Sequence, residues 1–342
     1  MKVNPAAGVL SFVILLTISI SGCSSSSSPS TPHRDSTGAL VPNIPIRIGH
    51  PASPSFKGIP VEIANQRLRQ RGWDIDSVFF TQTDLAAAAL AQGATQFTLM
   101  QPLDPLRVID KGMDVRWILE NNPGDFVLIA PTGTQTCADL NGLKVALSSK
   151  TSTNSMATAS FLAQDCRLDP EIIYILEGEA RVAALLTNQI DSTFMQLADF
   201  VVLEREAPGR FSIFPTGNTY TTGGSGLWIS GNWADQNREI VRTYTIELLK
   251  AYRMAEYNPQ EFEKAVQEHL PELDPETASQ TIAVHRDLGG FPVNGGDVSI
   301  VKNAITFFEP LGEISDLNAE KIFDTSFLED ALDTIGRIEE KR

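Results

Sequence analysis

One stretch of this chain repeats itself, and the repeat limits the folds that the chain can adopt. Residues 76–111 align with residues 171–206 at a constant offset of 95 positions and without a gap. The alignment pairs seven identical residues, among them Leu90 with Leu185, Met100 with Met195 and Gln101 with Gln196. Each copy has strand-like and helix-like stretches in alternation, which implies parallel strands joined by right-handed helical crossovers. We therefore expect two related α/β halves.

The segments around the repeat extend this pattern. We predict extended segments at 46–49, 77–80 and 97–100 and helices at 60–71, 84–91 and 103–111. Residues 144–147 are the counterpart of the first strand. Residues 115–131 predict two strands around a turn, which fits a crossing from one lobe to the other. Extended segments follow at 211–214 and 226–230, and the chain is almost wholly helical from residue 235 onward.

The N-terminus indicates export and a lipid anchor. Lys2 precedes an apolar run from Gly8 to Ile20, which is too short to span a membrane. Small residues lead from there to Cys23, and five serines follow it, a pattern typical of bacterial lipoproteins. We expect removal of residues 1–22, a lipid anchor on Cys23 and a disordered tether over residues 23–43. In the alternative interpretation, the segment is an ordinary secretory signal and Cys23 is incidental.

Composition argues against two classes of protein. The chain has 42 acidic and 27 basic side chains and no Lys/Arg cluster, so it lacks the positive surface that nucleic acid requires. Its four histidines are scattered, with no pair at metal-ligand spacing, and no glycine-rich phosphate loop precedes a helix. We therefore expect no catalytic residue, no metal, no cofactor and no enzymatic activity.

Cys137 and Cys166 are the cysteines that remain besides Cys23. In an oxidising compartment an even pair predicts a disulfide. Two buried free thiols are the alternative.

Several stretches resemble the solute-binding proteins of ABC importers, in the branch that serves sulfonates, taurine, nitrate and thiamine pyrimidine precursors. Residues 138–146, ADLNGLKVA, are similar to the segment that opens the family's second lobe. Residues 184–191, ALLTNQID, are similar to a later segment of that lobe, and Leu85–Phe97 to its match in the first lobe. The resemblance covers residues 44–335. It implies an α/β periplasmic-binding-protein type II fold, in which two lobes, each a mainly parallel sheet flanked by helices, are joined by a two-strand hinge.

The resemblance also implies boundaries and partners. The first lobe would comprise residues 44–131 and a largely helical return at 223–342, and the second lobe residues 132–222. The protein would be a monomer that delivers a small-molecule ligand to an ABC permease with a cytoplasmic ATPase.

In open α/β sheets, ligands bind outside the carboxyl ends of the strands, so the strand-to-helix loops are candidate contacts. We predict a cleft between the lobes that is lined by residues of both. The predicted ligand contacts are Ser53, Phe56, Thr83, Asp84, Gln101 and Asn121 in the first lobe, Ser149, Thr151, Ser152, Glu177 and Gln196 in the second, and Trp228 on the return.

The residue types favour a polar solute. Hydroxyls and free backbone amides gather at 148–154 where a helix begins, which suits an anion, and Lys150 adds a cation. Asp84, Glu177 and Glu179 could contact an amino group, whereas aromatic side chains would suit a heteroaromatic cation. Helix capping is the alternative role for Ser152 and Asp84.

Together these features predict a lipid-anchored binding component of an ABC importer on the periplasmic side of a bacterial membrane, either the cytoplasmic or the outer one. A sulfonate- or taurine-like anion or zwitterion is the favoured ligand. The alternatives are a thiamine pyrimidine precursor or similar heteroaromatic as ligand, or a sensor lipoprotein of the same fold that does not transport.

Overall fold

The computed structural model describes residues 33–34, 38, 40–51, 54–122, 126–150, 152–217 and 224–339. The predicted signal segment, Cys23 and most of the predicted tether lie outside these residues. The end of the predicted tether, however, is part of the folded chain. Strand β2 (Leu40–Val41) is buried and pairs with β1 (His33–Arg34), and the Trp73 indole donates to the Leu40 carbonyl at 2.7 Å. The ordered chain thus begins before residue 43, where we had expected it to begin.

The first large sheet has five strands and is mainly parallel. Its strands are β3 (Ile46–His50), β4 (Ile75–Phe79), β5 (Phe97–Met100), β6 (Val115–Asn122) and β12 (Ser225–Ser230). They lie in the order β4-β3-β5-β12-β6. The strands β3, β4 and β5 are parallel, while β12 runs antiparallel to both of its neighbours.

The second large sheet repeats this arrangement. Its strands are β7 (Phe126–Pro131), β8 (Lys144–Leu147), β9 (Glu171–Tyr174), β10 (Ser192–Gln196) and β11 (Phe211–Phe214), in the order β11-β7-β10-β8-β9. Here β8, β9 and β10 are parallel and β7 is the antiparallel strand. The chain passes from the first sheet to the second between β6 and β7 and returns between β11 and β12, as the sequence predicts.

Helices flank both sheets. Those that follow the strands of the first sheet are α1 (Ile59–Gln70), α2 (Thr83–Ala91) and α3 (Leu103–Asp110), and those of the second sheet are α4 (Thr153–Ser160), α5 (Gly178–Leu186) and α6 (Leu197–Glu206). The C-terminal region adds α7 (Gly231–Gln236), α8 (Arg238–Tyr257), α9 (Pro259–His269), α10 (Pro275–Asp287), α11 (Ser299–Phe308), α12 (Ala319–Ile322) and α13 (Thr325–Ile335).

The element bounds confirm the internal repeat. Helix α5 occupies the positions of α2 shifted by 95 residues, Thr83 to Gly178 and Ala91 to Leu186. Both helices are followed by a residue with positive φ, Gly93 at 75° and Asn188 at 58°. Asparagine is one of the few non-glycine residues that tolerate this conformation, so both copies end the helix in the same way.

Two buried tryptophan rings meet where β12 pairs with the edge strand β6. Trp117 on β6 and Trp228 on β12 are fully buried, with ring centroids 4.8 Å apart. Gly226 is the residue that allows this contact, since a Cβ there would lie 1.9 Å from Nε1 of Trp117. The largest core cluster surrounds these rings, and two smaller clusters contain residues of the second sheet.

The C-terminal helices pack on the first sheet, and α10 also contacts the second half. The side chain of Asp274 caps α10 by accepting from the Thr277 amide at 3.0 Å, and Pro275 fits its first turn. Arg205, near the end of α6, donates to Thr277 Oγ1 at 2.6 Å and to the Asp274 carboxylate. The helical pattern predicted from residue 235 onward is interrupted at Asn237, which lies between α7 and α8.

Within the described part of the chain, no helix combines the length and the apolarity that a membrane crossing needs. The Sγ atoms of Cys137 and Cys166 form a disulfide, with the Cα atoms 5.1 Å apart. The bond joins the turn before β8 to the end of the helical segment that begins with α4.

Candidate functional site

The carboxyl ends of the parallel strands place the candidate loops. The candidate loops of the first sheet follow His50, Phe79 and Met100, and those of the second sheet follow Leu147, Tyr174 and Gln196. Side chains of the second half also contact the first half. Met156 of α4 and Ala198 of α6 pack against the core cluster of the first sheet. Lys57 Nζ lies 5.3 Å from the ring centroid of Phe126, the first residue of β7.

Four serines form a hydrogen-bonded cluster at the start of α4. The Ser148 hydroxyl lies 2.7 Å from that of Ser152 and 3.0 Å from that of Ser155. Ser152 caps the helix by accepting from the Ser155 amide at 3.3 Å, and its own amide donates to Ser149 Oγ at 3.2 Å. The helix-capping role of Ser152 is therefore present. The amides of Ser148 and Ser149 also donate to Ser155 Oγ, which holds these residues against the start of α4. Thr151 lies outside the described residues.

Two lysines stand in equivalent loops of the two halves, each after the first strand. Lys57 follows β3 and Lys150 follows β8. Lys150 is exposed, and its Nζ lies 5.8 Å from the ring centroid of Tyr174. Each ammonium thus interacts with an aromatic face, which attracts cations without neutralising their charge. Both charges remain able to attract an anion.

The predicted acids and amides lie at the ends of the strands or the starts of helices. Glu177 is exposed at the N-terminal end of α5. Asp84 is exposed in the first turn of α2, where its carboxylate accepts from the Leu85 amide at 2.9 Å, and Thr83 beside it is partly buried. Gln101 and Gln196 are partly buried at equivalent positions of the repeat, directly after β5 and at the end of β10. Ser53 lies outside the described residues.

Three predicted ligand contacts are buried in the first half. Trp228 has no exposed surface, and its indole donates to the Met100 carbonyl at 3.0 Å. Phe56 is 5% exposed and packs edge-on against Phe262. Asn121 is 3% exposed; it donates to Ser225 Oγ at 3.1 Å and accepts from the Tyr252 hydroxyl. In the described conformation all three side chains are buried, Trp228 and Asn121 on strands of the first sheet and Phe56 among Phe262, His285 and Phe291. Their contact with a ligand stays a prediction.

Sequence reasoning missed Arg181. Its guanidinium is 5% exposed and donates to the carbonyls of Ile175 and Leu176 at 2.9 and 2.8 Å, so it anchors the loop between β9 and α5. It lies 4.9 Å from the ring centroid of Phe194. Burial lowers the pKa of Arg181, and the charges of Asp199 and Glu177 partly oppose this effect. The available signal was a single basic residue among the apolar residues 180–186 of α5.

A second missed group lies between α1 and the edge strand β4. Ser77 Oγ is 3.0 Å from Nε2 of His50, accepts from the Asn65 amide at 3.2 Å and donates to the Glu62 carboxylate. His50 is 7% exposed, and its ring stacks on Phe79 with the centroids 4.9 Å apart. Burial lowers the pKa of His50 from 6.5 to about 4, with Lys57 acting in the same direction and Glu62 opposing it.

Among the described residues, no group of three His, Cys, Asp or Glu side chains is placed to hold a metal ion. What the described loops offer instead is a set of hydroxyls, amides, lysines and carboxylates around the ends of two similar sheets. Such a set can bind a polar solute by hydrogen bonds and charge.

Residues 54–262 match the family model described as NMT1/THI5 like. The match takes in more than half of the chain and contains the helices that follow the parallel strands of both sheets. The chain belongs to the NMT1/THI5-like family. No curated protein matches its sequence.

Solved structures share the fold of this NMT1/THI5-like chain at low sequence identity. The alkanesulfonate-binding protein SsuA from Xanthomonas axonopodis pv. citri, bound to MOPS, is 19% identical, with a TM-score of 0.61 over 86% of this chain and 99% of that one. The periplasmic aliphatic sulphonate binding protein SsuA from Escherichia coli is 17% identical, with a TM-score of 0.64 over 81% and 91%. The periplasmic nitrate-binding protein NrtA from Synechocystis PCC 6803 is 13% identical, with a TM-score of 0.62 over 85% and 89%.

These likenesses confirm the predicted type II periplasmic-binding-protein fold. In this NMT1/THI5-like chain, the matched segment begins beside Ser55 and ends at Phe262, so it includes Lys57, Lys150 and Arg181.

Proposed function

We propose that this chain is the solute-binding component of an ABC importer and that it captures a small polar organic solute between its two lobes. The observation that carries the proposal is the pair of similar sheets between which the chain crosses twice, with Met156 and Ala198 of the second half packed against the core of the first. Closure of such lobes on a ligand brings contacts from both sides together, so the ligand stabilises the closed state by its differential affinity. The binding event is the function, and no bond is made or broken.

The favoured ligand is a sulfonate- or taurine-like anion or zwitterion. Lys57 and Lys150 supply a positive charge from each half, and the serine cluster supplies hydroxyls beside Lys150. The two SsuA structures named above belong to sulfonate binders, which agrees with this charge pattern. Ser149, Gln101, Gln196, Thr83, Asp84 and Glu177 remain proposed contacts, and Ser53 and Thr151 are proposed from sequence alone.

A heteroaromatic ligand, such as a thiamine pyrimidine precursor, is the second candidate. Phe79 and Tyr174 end the equivalent strands β4 and β9, and they are 43% and 45% exposed. Exposed rings at equivalent positions of both halves could stack on a flat solute. A sensor lipoprotein of the same fold would bind either ligand without a permease.

The proposed setting follows from the sequence. The lobes would be residues 44–131 with 223–342 and residues 132–222. Cys23 would carry a lipid anchor on the periplasmic side of a bacterial membrane, and the monomer would deliver its solute to a permease that works with a cytoplasmic ATPase. A tether to the membrane would raise the concentration of the binding protein near such a permease.

Calorimetry with a panel of solutes, combined with small-angle X-ray scattering, tests the proposal. We expect ethanesulfonate or taurine to bind and to reduce the radius of gyration. Lys150→Met should weaken sulfonate binding about tenfold, as the loss of one charged hydrogen bond implies, whereas Lys264→Met on the exposed face of α9 should not. Binding of an aminopyrimidine that is unaffected by Lys150→Met would favour the second candidate. Absence of binding and of compaction across the panel would reject solute capture.

A further inference from the structure

A cavity of about 280 Å³ lies between α1 and the edge strand β4. Its walls include His50 and Phe79, the last residues of β3 and β4, and Ser55 in the loop after β3. Glu62, Ser77 and His269, the last residue of α9, also line the cavity. The cavity therefore begins at the strand ends where the proposed function places the solute.

The hydrogen bonds in its wall fix the tautomer of His50. Ser77 has one hydroxyl proton, which it donates to the Glu62 carboxylate, because a carboxylate can only accept. The contact of 3.0 Å between Ser77 Oγ and Nε2 of His50 must then be donated by the histidine. A neutral imidazole that carries its proton on Nε2 has an acceptor lone pair on Nδ1. The lowered pKa of His50 keeps the ring neutral near pH 7.

The hydrogen-bonding positions that remain unused in the cavity are acceptors, so they suit a group that donates. Besides Nδ1 of His50, the Glu62 carboxylate has lone pairs beyond the one that Ser77 uses. A buried acceptor without a donor is costly, so these atoms favour an occupant with N–H groups.

The charged side chains that line the cavity also favour an occupant with an amino group. Glu62 and Asp76 are its carboxylates, and Arg69 is the guanidinium that lines it. Arg69 lies 3.4 Å from Glu62 and 3.5 Å from Asp76 and donates to the Ile75 carbonyl at 2.8 Å, so its charge is shared between two acids. The cavity is left with an excess of negative charge. Phe79, stacked on His50, adds an aromatic face, which also attracts a cation.

We propose that this cavity receives the amino end of the solute, with the Glu62 carboxylate and Nδ1 of His50 as its hydrogen-bond acceptors. The assignment rests on the proposed function, because it divides one solute between the lobes. The acidic group would lie near Lys150 and the serine cluster, and the amino group in this cavity. An alkylammonium and an amino-substituted ring share this chemistry, and the probes below separate them.

The test uses the whole protein with ¹⁵N-labelled histidine, whose four residues give few and resolvable signals. Taurine carries an ammonium, ethanesulfonate is its amine-free match, and an aminopyrimidine supplies the ring. We expect taurine or the aminopyrimidine, but not ethanesulfonate, to shift the ring nitrogen signals of His50. Glu62→Gln should remove that shift and weaken the amine-bearing solute about tenfold or more while changing ethanesulfonate less than about twofold. Glu261→Gln, an equal change on the exposed start of α9, should alter neither.

The outcomes separate the two proposals. If taurine or the aminopyrimidine binds by calorimetry and the His50 signals stay unchanged, solute capture stands and the amine cavity is wrong. If nothing in the panel binds but millimolar ethylammonium shifts His50 in the unaltered protein, the cavity stands and the proposed solute class fails. If neither occurs, both are rejected.

Discussion

Asn121 donates to the Ser225 hydroxyl at 3.1 Å, and this bond joins the strand by which the chain leaves the first sheet to the strand by which it returns. Tyr252 of α8 donates to the same asparagine from the other side. All three side chains are buried. The bond therefore fixes the relation of the two crossing strands at the point where a hinge between lobes would lie.

Loss of this link should destabilise the protein. Asn121→Ala removes both hydrogen bonds and leaves the buried Tyr252 hydroxyl without its acceptor, so we expect a loss of about 1 to 3 kcal/mol in the free energy of unfolding. Urea unfolding measures this. Ser225→Ala, which removes only one of the two bonds, should cost less, and an equal or larger cost would contradict the shared role of Asn121.

Arg181 should affect binding as well as stability. Arg181→Met leaves the Ile175 and Leu176 carbonyls without their donor, which should cost about 1 to 3 kcal/mol and loosen the loop after β9. Arg210 is a matched control: it donates to the carbonyls of Leu185 and Leu186 at 3.1 and 3.0 Å and lies 4.8 Å from the Phe211 ring, at the other end of α5. Both variants should lose stability, but only Arg181→Met should weaken solute binding in calorimetry. Equal effects on binding would remove Arg181 from the site.

Gly226→Ala should be severe. The new Cβ would overlap the buried Trp117 indole at 1.9 Å, and the ring cannot move away because Trp228 lies on it. We expect a loss of about 3 kcal/mol or more, at the upper end of overpacking effects. Gly58→Ala is the control, since its Cβ would be 3.8 Å from His50. Thermal unfolding that shows the same midpoint for both variants would argue against the tight contact.

The disulfide should stabilise the second half. It closes a separation of 29 residues, for which the chain-entropy model gives about 3 to 4 kcal/mol. The double variant Cys137→Ser, Cys166→Ser should lose a comparable amount in urea unfolding. Alkylation without reductant should leave both cysteines of the natural chain unmodified, and a mass increase at either one would show a free thiol.

His50 should make stability depend on pH. Its pKa falls from 6.5 to about 4 on folding, so between these values the unfolded chain binds a proton that the folded chain does not. The contribution of His50 to the free energy of unfolding is therefore full above pH 6.5. It is lost as the pH falls to about 4, by about 3 kcal/mol in total. Urea unfolding at pH 7 and pH 4.5 should show a steeper loss for the natural chain than for His50→Gln. Parallel losses would contradict burial of a neutral ring.

The repeat and the strand patterns predicted most of the fold. Residues 97–100 form β5 as expected, and the offset of 95 holds for both helices of the repeat to within one residue. These elements could be predicted because each depends on its own apolar spacing. The break at Asn237 was missed, since the helical pattern continues through it on both sides.

The site was less predictable because it depends on contacts distant in sequence. The burial of Trp228 could not be predicted, since its ring meets Trp117 only after β12 has entered the sheet beside β6. Glu62, Ser77 and His50 come together only because β3 and β4 pair in parallel, with His50 opposite Phe79. No spacing along the chain reveals such a pairing. Cap residues such as Ser152 were accessible because their partners lie within one helical turn.

The position of β12 sets an order of assembly. Every strand of the second sheet comes from residues 126–214, an uninterrupted segment of the chain. The first sheet instead needs β12 between β5 and the edge strand β6, so β6 cannot join the other strands until residues 225–230 have emerged. A chain that emerges N-terminus first can thus complete its second sheet before the first sheet has its last strand. During that interval Trp117 lacks the ring of Trp228, which lies against it in the folded chain.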